Sequence, residues 1–278
     1  MVSDSSVFGR GQRESNDGKT PHWQEMWRHE FLEALEHDPV IIVPVGSVEQ
    51  HGPHCPMDVD ISHTQALAVD TARAIDEFPV IVAPPVWSGL THYNMGEVGT
   101  ITLSVETFIA YVSEICRSIW ANGFHRIILL NGHGGNRDIQ RVISIKLAEE
   151  DIWVLPITYW DMAQDVLDDE ADTDPGFIGH GGEWETSLQL HLRPSLIDTE
   201  KLVADPERPG FSPEILRFTG FPERRKEREH GVHGNPYTAS AEKGERLFNA
   251  AKEMLIEVCR EYHEQPVRGY REFGSHCP

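Results

Sequence analysis

Four short apolar runs rich in β-branched residues constrain this chain more than any other feature. They are Val40–Val45, residues 80–83, residues 126–130 and residues 152–157. Stretches of helical spacing separate them at residues 62–77, 105–122 and 137–149. Continuous apolar runs of this length suit strands buried on both faces, and their alternation with helices predicts an α/β fold with a parallel sheet covered on each side. Residues 23–37 add a helical pattern with Trp27, Phe31 and Leu35 four apart. Asn122-Gly123 is a helix stop, and residues 241–264 read as a closing helix. Residues 86–103, with Gly89, Gly96 and Gly99, read as an excursion over the carboxyl edge of the sheet. Its His92, Tyr93 and Asn94 either reach substrate or face water. Residues 161–179 are strongly acidic and predict a mobile flap, and residues 206–233 a charged loop. No repeat or linker interrupts residues 21–278, which predicts one domain after a disordered lead-in over residues 1–20.

Three polar segments sit where such a sheet would place a site. In open α/β sheets, ligands gather at the carboxyl ends of the strands. Directly after Val40–Val45 comes a loop shaped by glycine and proline that carries Glu49, His51 and Asp60. Imidazole with carboxylates is a ligand set for a borderline divalent ion, although each residue alone also fits a solvated loop. After residues 126–130 comes Asn131-Gly-His-Gly-Gly-Asn136, which puts His133 at a strand-to-helix turn. Glycines there let the backbone approach an ion or substrate, and amides at a helix start can hold an anionic oxygen. The third segment, from Gly179 to Ser187, runs into a helix whose Trp184, Leu188 and Leu192 share a face. Glu185 points elsewhere, and it equally suits the positive end of the helix. His180 stands just before the helix, placed to move a proton or to cap.

Charge narrows the range of partners. Asp and Glu outnumber Lys and Arg by 45 to 24, a formal charge of −21. Such a field repels nucleic acid and anionic membranes, so neither is an expected partner. Low lysine with abundant Asp and Glu suits a protein that stays soluble in concentrated salt. No run approaches the roughly 18 apolar residues of a membrane span, and residues 1–20 lack a signal-type apolar region, so a cytoplasmic protein is expected. Cys55, Cys116, Cys259 and Cys277 are widely spaced and are expected to be free thiols, with Cys55 in a packing role.

The three segments, in this order, resemble the creatininase (creatinine amidohydrolase) family: residues 45–54 with Asp60 following, residues 131–136, and residues 180–187. The likeness spans roughly residues 23–260. It implies a three-layer α/β/α sandwich with a mainly parallel sheet and a hydrolytic site holding two divalent ions per chain, zinc, manganese or iron. Carried over by position, Glu49, His51, Asp60, His133 and Glu185 are the implied metal ligands. Asp60 is the implied bridge, and His180 and Glu185 are the implied catalytic groups, with His180 transferring the proton. Trp160 matches a tryptophan of the substrate pocket. His92, Tyr93, Gly134 and Gly135 complete the expected substrate wall, while Ser47 and Ser187 are expected to hydrogen-bond around the ligands. Creatinine-cleaving members carry a tyrosine and a metal-binding glutamate where this chain has Gly134 and Gly135. That difference implies that Glu185 supplies the missing ligand, that the pocket is more open, and that creatinine is not the substrate. The expected reaction is hydrolysis of a C–N bond in a small cyclic amide or formamide. The alternatives are hydrolytic C–C opening of a cyclic diketone such as an oxidised inositol, and a metal-bound scaffold without catalysis. The resemblance also implies a homo-oligomer, a hexamer, with Trp87, Tyr93 and Phe177 available for subunit contacts.

Overall fold

A computed structural model describes residues 20–173, 178–205 and 230–267. The expected lead-in up to residue 19, Phe177, residues 206–229 of the charged loop and Cys277 lie outside the described residues.

Four parallel strands form one sheet: β1 (Val40–Val45), β2 (Val80–Val82), β3 (Arg126–Asn131) and β4 (Val154–Thr158), in the order β2-β1-β3-β4. Ile41 pairs with Ile81 on one side and Ile127 on the other, so β1 is central. The helices are α1 (Arg28–Leu35), α2 (Val59–Ala74), α3 (Val105–Ala121), α4 (Arg137–Ala148), α5 (Gln164–Asp169), α6 (Glu183–Leu192) and α7 (Ala241–Glu264). Because side chains alternate along a strand, β1 feeds two cores. Val40 and Ile42 pack with α2, α6 and α7, whereas Ile41, Val43 and Val45 pack with α1, α3 and α4. All five are fully buried, and each such side chain contributes about 1.5–3 kcal/mol. The three-layer α/β/α arrangement follows. Among the described residues no helix is long and apolar enough to cross a membrane.

The strand order also locates the site. The chain leaves β1 toward β2 on one side and returns to β3 on the other, so the direction of winding reverses between β1 and β3. A crevice opens at the carboxyl end of such a reversal. The segments holding Glu49 and His133 leave the sheet from those two strands.

Several boundaries differ from the sequence reading. Residues 23–37 are not one helix: a 3-10 turn covers Trp23–Glu25 and α1 begins at Arg28. The Glu30 carboxylate accepts the Trp27 N–H at 2.7 Å and caps the helix there, leaving Trp27 at 59% exposure. Trp23 takes the core position instead, 4.6 Å from Phe31 and 5.2 Å from Phe124 between ring centroids. The acidic stretch expected to be a flap is structured in its described part, as a 3-10 turn over Tyr159–Ala163 and then α5. Beyond α5, the amides of Asp172 and Thr173 donate to the Glu183 carboxylate, which also pairs with Lys243. Asp60, read as a loop residue, lies in the first turn of α2, where a carboxylate is favoured by the helix dipole.

The α2 terminus settles onto the sheet edge because Gly132 has no side chain. A Cβ at Gly132 would lie 2.4 Å from the Asp60 carbonyl oxygen and 2.6 Å from Thr64 Cγ2. The same terminus is tied to α6 by Arg193, whose two guanidinium nitrogens donate to Asp58 at 2.8 and 2.7 Å. Gly132→Ala must push α2 off β3, and we expect a loss of about 1–3 kcal/mol in urea unfolding. Gly96→Ala, where the added methyl meets open space, should stay within about 0.5 kcal/mol. Equal midpoints for the two variants would refute the close-approach argument.

Candidate metal centre

Four elements deliver six ionisable side chains to the crevice. Glu49 and His51 come from the loop after β1, Asp60 from the start of α2, and His133 from the turn after β3. His180 and Glu185 come from just before and just inside α6. All six are 5% exposed or less. Asp60 stands at the middle, with Oδ1 3.1 Å from His51 Nε2 and Oδ2 2.9 Å from His133 Nδ1. Glu49 Oε1 is 3.3 Å from His133 Nδ1, and Glu185 Oε2 is 3.5 Å from His51 Nε2. Two of three candidate ligand sets among the described residues therefore share Asp60: Glu49, Asp60 and His133 on one side, and His51, Asp60 and Glu185 on the other; the third, Glu49, His51 and His180, joins one ligand from each. His180 Nδ1 approaches Glu49 Oε1 at 3.4 Å, and its ring stacks on His51 with centroids 4.3 Å apart.

Backbone carbonyls orient the imidazoles. His51 Nδ1 lies 3.1 Å from the Glu49 carbonyl oxygen, and His133 Nε2 lies 3.0 Å from that of Leu90. A ring N–H donating to each carbonyl leaves the lone pairs of His51 Nε2 and His133 Nδ1 directed at the carboxylates. This is the arrangement metal-binding histidines adopt. Asp60 Oδ2 is buried and accepts no hydrogen bond in that state. Lone pairs converging at this range require a proton or a cation between them. Ligands held about 2.0–2.2 Å from an ion lie about 3.0–3.5 Å from one another, which matches the spacings here. The donor set and its geometry fit divalent ions.

The titration of these groups follows from the same crowding. Burial disfavours the charged form of His51, but Glu185, Asp60 and Glu49 outweigh it and push its pKa up to about 10. Burial likewise opposes protonation of His133, and Glu49, Tyr93 and Asp60 overcome it, holding the pKa well above the usual value. Burial acts to raise Glu49, yet His133, His180 and His51 hold it well below the usual range. For Glu185 burial prevails, aided by Asp60 and Glu49, and raises it to about 7.

Other expected residues divide. Tyr93 Oη lies 3.1 Å from His133 Nε2, so the excursion does reach the centre, while His92 is exposed. Gly134 faces open space, but Gly135 does not open the pocket as expected. A Cβ there would lie 2.0 Å from the Leu90 carbonyl oxygen and 3.1 Å from Tyr93 Oη, so the excursion fills that volume. Trp160 is buried in the core shared by α2, α6 and α7 and meets Tyr159 edge-on at 5.2 Å. For Tyr159, burial, then Glu185 and Asp60, raise the pKa well above the usual value. Cys55 is a packing thiol, pushed up to about 12 chiefly by burial. Ser47 Oγ finds no partner among the described residues. Ser187 Oγ donates to the Glu183 carbonyl at 2.6 Å, inside α6 rather than around the ligands.

Sequence reasoning missed Thr91 and Gln50, and it left Asn94 between substrate and solvent without foreseeing its contact with Glu49. Thr91 Oγ1 and Asn94 Nδ2 donate to Glu49 Oε2, the latter at 2.8 Å. The Gln50 carbonyl lies 2.6 Å from His180 Nε2. No local signal marks Thr91, since it is 42 residues from Glu49.

Comparison with known proteins places the chain in a family. The creatininase family model, described as creatinine amidohydrolase, matches residues 24–259. Creatinine amidohydrolase of Pseudomonas putida is 30% identical over 251 residues, 84% of this chain and 94% of that protein. Mycofactocin precursor peptide peptidase of Mycobacterium tuberculosis is 32% identical over 239 residues, 82% of this chain and 87% of that protein. 3-dehydro-scyllo-inosose hydrolase of Thermotoga maritima is 30% identical over 273 residues, 88% and 84% of the two chains. A manganese form of creatininase superposes with a TM-score of 0.75 at 28% identity, over 89% of this chain and 100% of that one. A creatininase variant of the Zn–Zn type gives 0.74 at 28% identity, with the same coverage. Matched along most of its length in both sequence and fold, the chain belongs to the creatininase family and is a hydrolase of that family.

Proposed function

We propose that this enzyme hydrolyses the C–N bond of a small cyclic amide or formamide other than creatinine, using two divalent ions per chain. The observation that carries the proposal is the pair of buried ligand sets joined at Asp60. Zinc, manganese and iron suit nitrogen and oxygen donors, and the related creatininase structures include manganese and zinc forms. Ions bound there would polarise the scissile carbonyl and acidify a water.

The side chains supply the rest. Asp60 serves both ligand sets, Glu49 and His133 complete one, and His51 and Glu185 complete the other. His180 is oriented by the Gln50 carbonyl at Nε2 and presents Nδ1 to the ligand group, where it can carry a proton to the leaving nitrogen. The buried crevice excludes bulk water and strengthens each of these interactions. Two of the relatives named above are, by name, an amidohydrolase and a peptidase, which supports C–N over C–C cleavage. Creatinine is disfavoured because the Leu90 carbonyl and the Tyr93 hydroxyl occupy the space that a side chain at position 135 would need. Tight positioning at a reacting centre supplies much of the rate.

Three outcomes are expected. Metal analysis of reconstituted protein should find close to two ions per chain. Asp60→Ala should lose both, and His51→Ala should weaken mainly one; equal losses from the two variants would remove the bridging role.

The second outcome concerns pH. Without metal, His51 and Glu185 keep protons up to about pH 10 and about 7. Both values lie above those of the unfolded chain, so the native state binds more protons. Below about pH 6.5 the lowered pKa values of buried His54 and His63 act in the opposite direction, so stability of the metal-free protein should fall as pH rises from about 6.5 to 10. Ions displace those protons, so adding zinc at pH 7 should acidify a weakly buffered sample, and affinity should rise with pH. A pH-independent affinity would contradict the assignment of these ligands.

In the third, a panel of lactams, formamides, short peptides, inososes and creatinine should show turnover of a cyclic amide or formamide at a rate at least about tenfold above creatinine. Preference for an inosose would move the reaction to a C–C bond, and fast creatinine turnover would overturn the argument about the pocket wall.

A further inference from the structure

The two ligand sets are held in different ways. In the His51–Asp60–Glu185 set, among the described residues, the outer hydrogen bonds of both terminal ligands come from the ligand's own neighbourhood, and the His51 ring also stacks on His180. His51 Nδ1 meets the carbonyl of Glu49, two residues away, and Glu185 Oε2 accepts the Gly181 N–H at 2.6 Å from four residues away. In the Glu49–Asp60–His133 set, the outer contacts of both terminal ligands come from one separate turn, residues 90–94. Thr91 Oγ1 and Asn94 Nδ2 donate to Glu49 Oε2, leaving Oε1 as the oxygen that faces His133 and His180. From the same turn, the Leu90 carbonyl and the Tyr93 hydroxyl meet His133 Nε2 at 3.0 and 3.1 Å.

The turn is itself anchored. The Leu90 N–H donates to Asn136 Oδ1 at 2.9 Å, and Asn136 Nδ2 donates to the Gly46 carbonyl at 3.0 Å. Asn136 thus joins the loop after β1, the turn after β3 and the 90–94 turn. The Thr91 N–H donates to Thr102 Oγ1 at 2.9 Å, and the Asn94 N–H to the Thr91 carbonyl at 3.0 Å. A carboxylate with two donors on one oxygen is held in rotation and presents its other oxygen alone. Removing a donor leaves a buried oxygen unsatisfied and frees the group to turn.

We infer that residues 90–94 are a positioning element for one ion of the pair: Thr91 and Asn94 aim Glu49, Leu90 and Tyr93 aim His133, and filling of the Glu49–Asp60–His133 set depends on this turn while filling of the other set does not. The inference rests on the two-ion reading above. Thr91 and Asn94 act through Glu49 and are positioning residues. Loss of a group that orients a metal ligand typically weakens metal binding about 10–100-fold. Binding linkage is reciprocal, so an ion in this set also orders the turn.

The test is a Mn2+ titration of the full chain against a chelator that resolves two binding steps, with hydrogen exchange on the unmodified protein alongside. Thr91→Val and Asn94→Ala should each weaken one step about 10–100-fold and leave the other within about threefold. Thr91→Ser, which keeps the hydroxyl, should bind as the unmodified protein does, and so should Met95→Ala, which alters an exposed neighbour. Amides of residues 90–94 should exchange more slowly once both ions are bound. Unchanged steps in the variants, equal weakening of both steps, or exchange in the turn indifferent to metal would overturn the inference and leave the two-ion reading standing. An unmodified protein that takes up no pair of ions would remove both. If Thr91→Val fails to fold by circular dichroism, Asn94→Ala and the exchange measurement decide.

Discussion

Everything at the carboxyl edge of the sheet is arranged around Asp60. Its two oxygens face two different histidines, and its carboxylate is buried at the start of α2. A buried, uncompensated carboxylate is costly, and Glu49 and Glu185 are equally buried beside it. The protein offsets that cost with three imidazoles, a helix terminus and the Gly181 amide. This balance holds a proton on His51 up to about pH 10 and one on Glu185 up to about 7 when no ion is present. The cluster is thus suited to cations: its buried carboxylates and imidazoles converge where positive charge is needed.

The sheet topology makes such a cluster possible without strain in its members. Winding that reverses between β1 and β3 leaves two adjacent strand ends uncovered, and β1 and β3 are also the most deeply buried strands. Loops leaving them are therefore short levers on a rigid base. The α2 and α6 helices close the crevice from one side and are cross-tied by the Asp58–Arg193 pair and by Gln189 Nε2 donating to Ser62 Oγ at 2.8 Å. That tie keeps Asp60 and Glu185, 125 positions apart in sequence, in one set. The opposite wall is the excursion over residues 86–103, anchored in the core by Val86, Leu90 and Leu103. In that wall Tyr93 and the Leu90 carbonyl touch His133, while Gly134 lies open beside them.

Much of this was legible before folding. The strand β1 is an uninterrupted apolar run ended by glycine, and its bounds matched because burial on both faces leaves no polar residue to blur them. The helices α3 and α4 were read within a residue or two for the opposite reason, since their amphipathic patterns are strong. The clustered histidines were legible because glycine and a second polar group flank each. Trp27 misled because its spacing to Phe31 fits a helix, whereas the decisive event was the Glu30 carboxylate capping the chain at that point. The acidic residues after Tyr159 misled because charge density alone reads as solvation. Their anchor is a buried lysine some seventy positions onward, with Lys243 Nζ 2.5 Å from Asp172 Oδ2.

By itself the sequence determined the alternation of strands and helices, the three polar segments at strand ends and helix starts, and the candidate ligand residues that the fold brings together. These are local properties, carried by period, turn chemistry and donor type within windows of about ten to twenty residues. Tertiary structure alone decided which carboxylate stands between which histidines, that Glu49 is aimed by Thr91 and Asn94, and that Gly135 faces a filled wall rather than an open one. Apart from the His51–Asp60 contact, nine residues apart, those outcomes depend on contacts across 40 residues or more, set by how helices and excursions dock on the sheet. Sequence spacing holds no measure of that distance until packing brings the segments together.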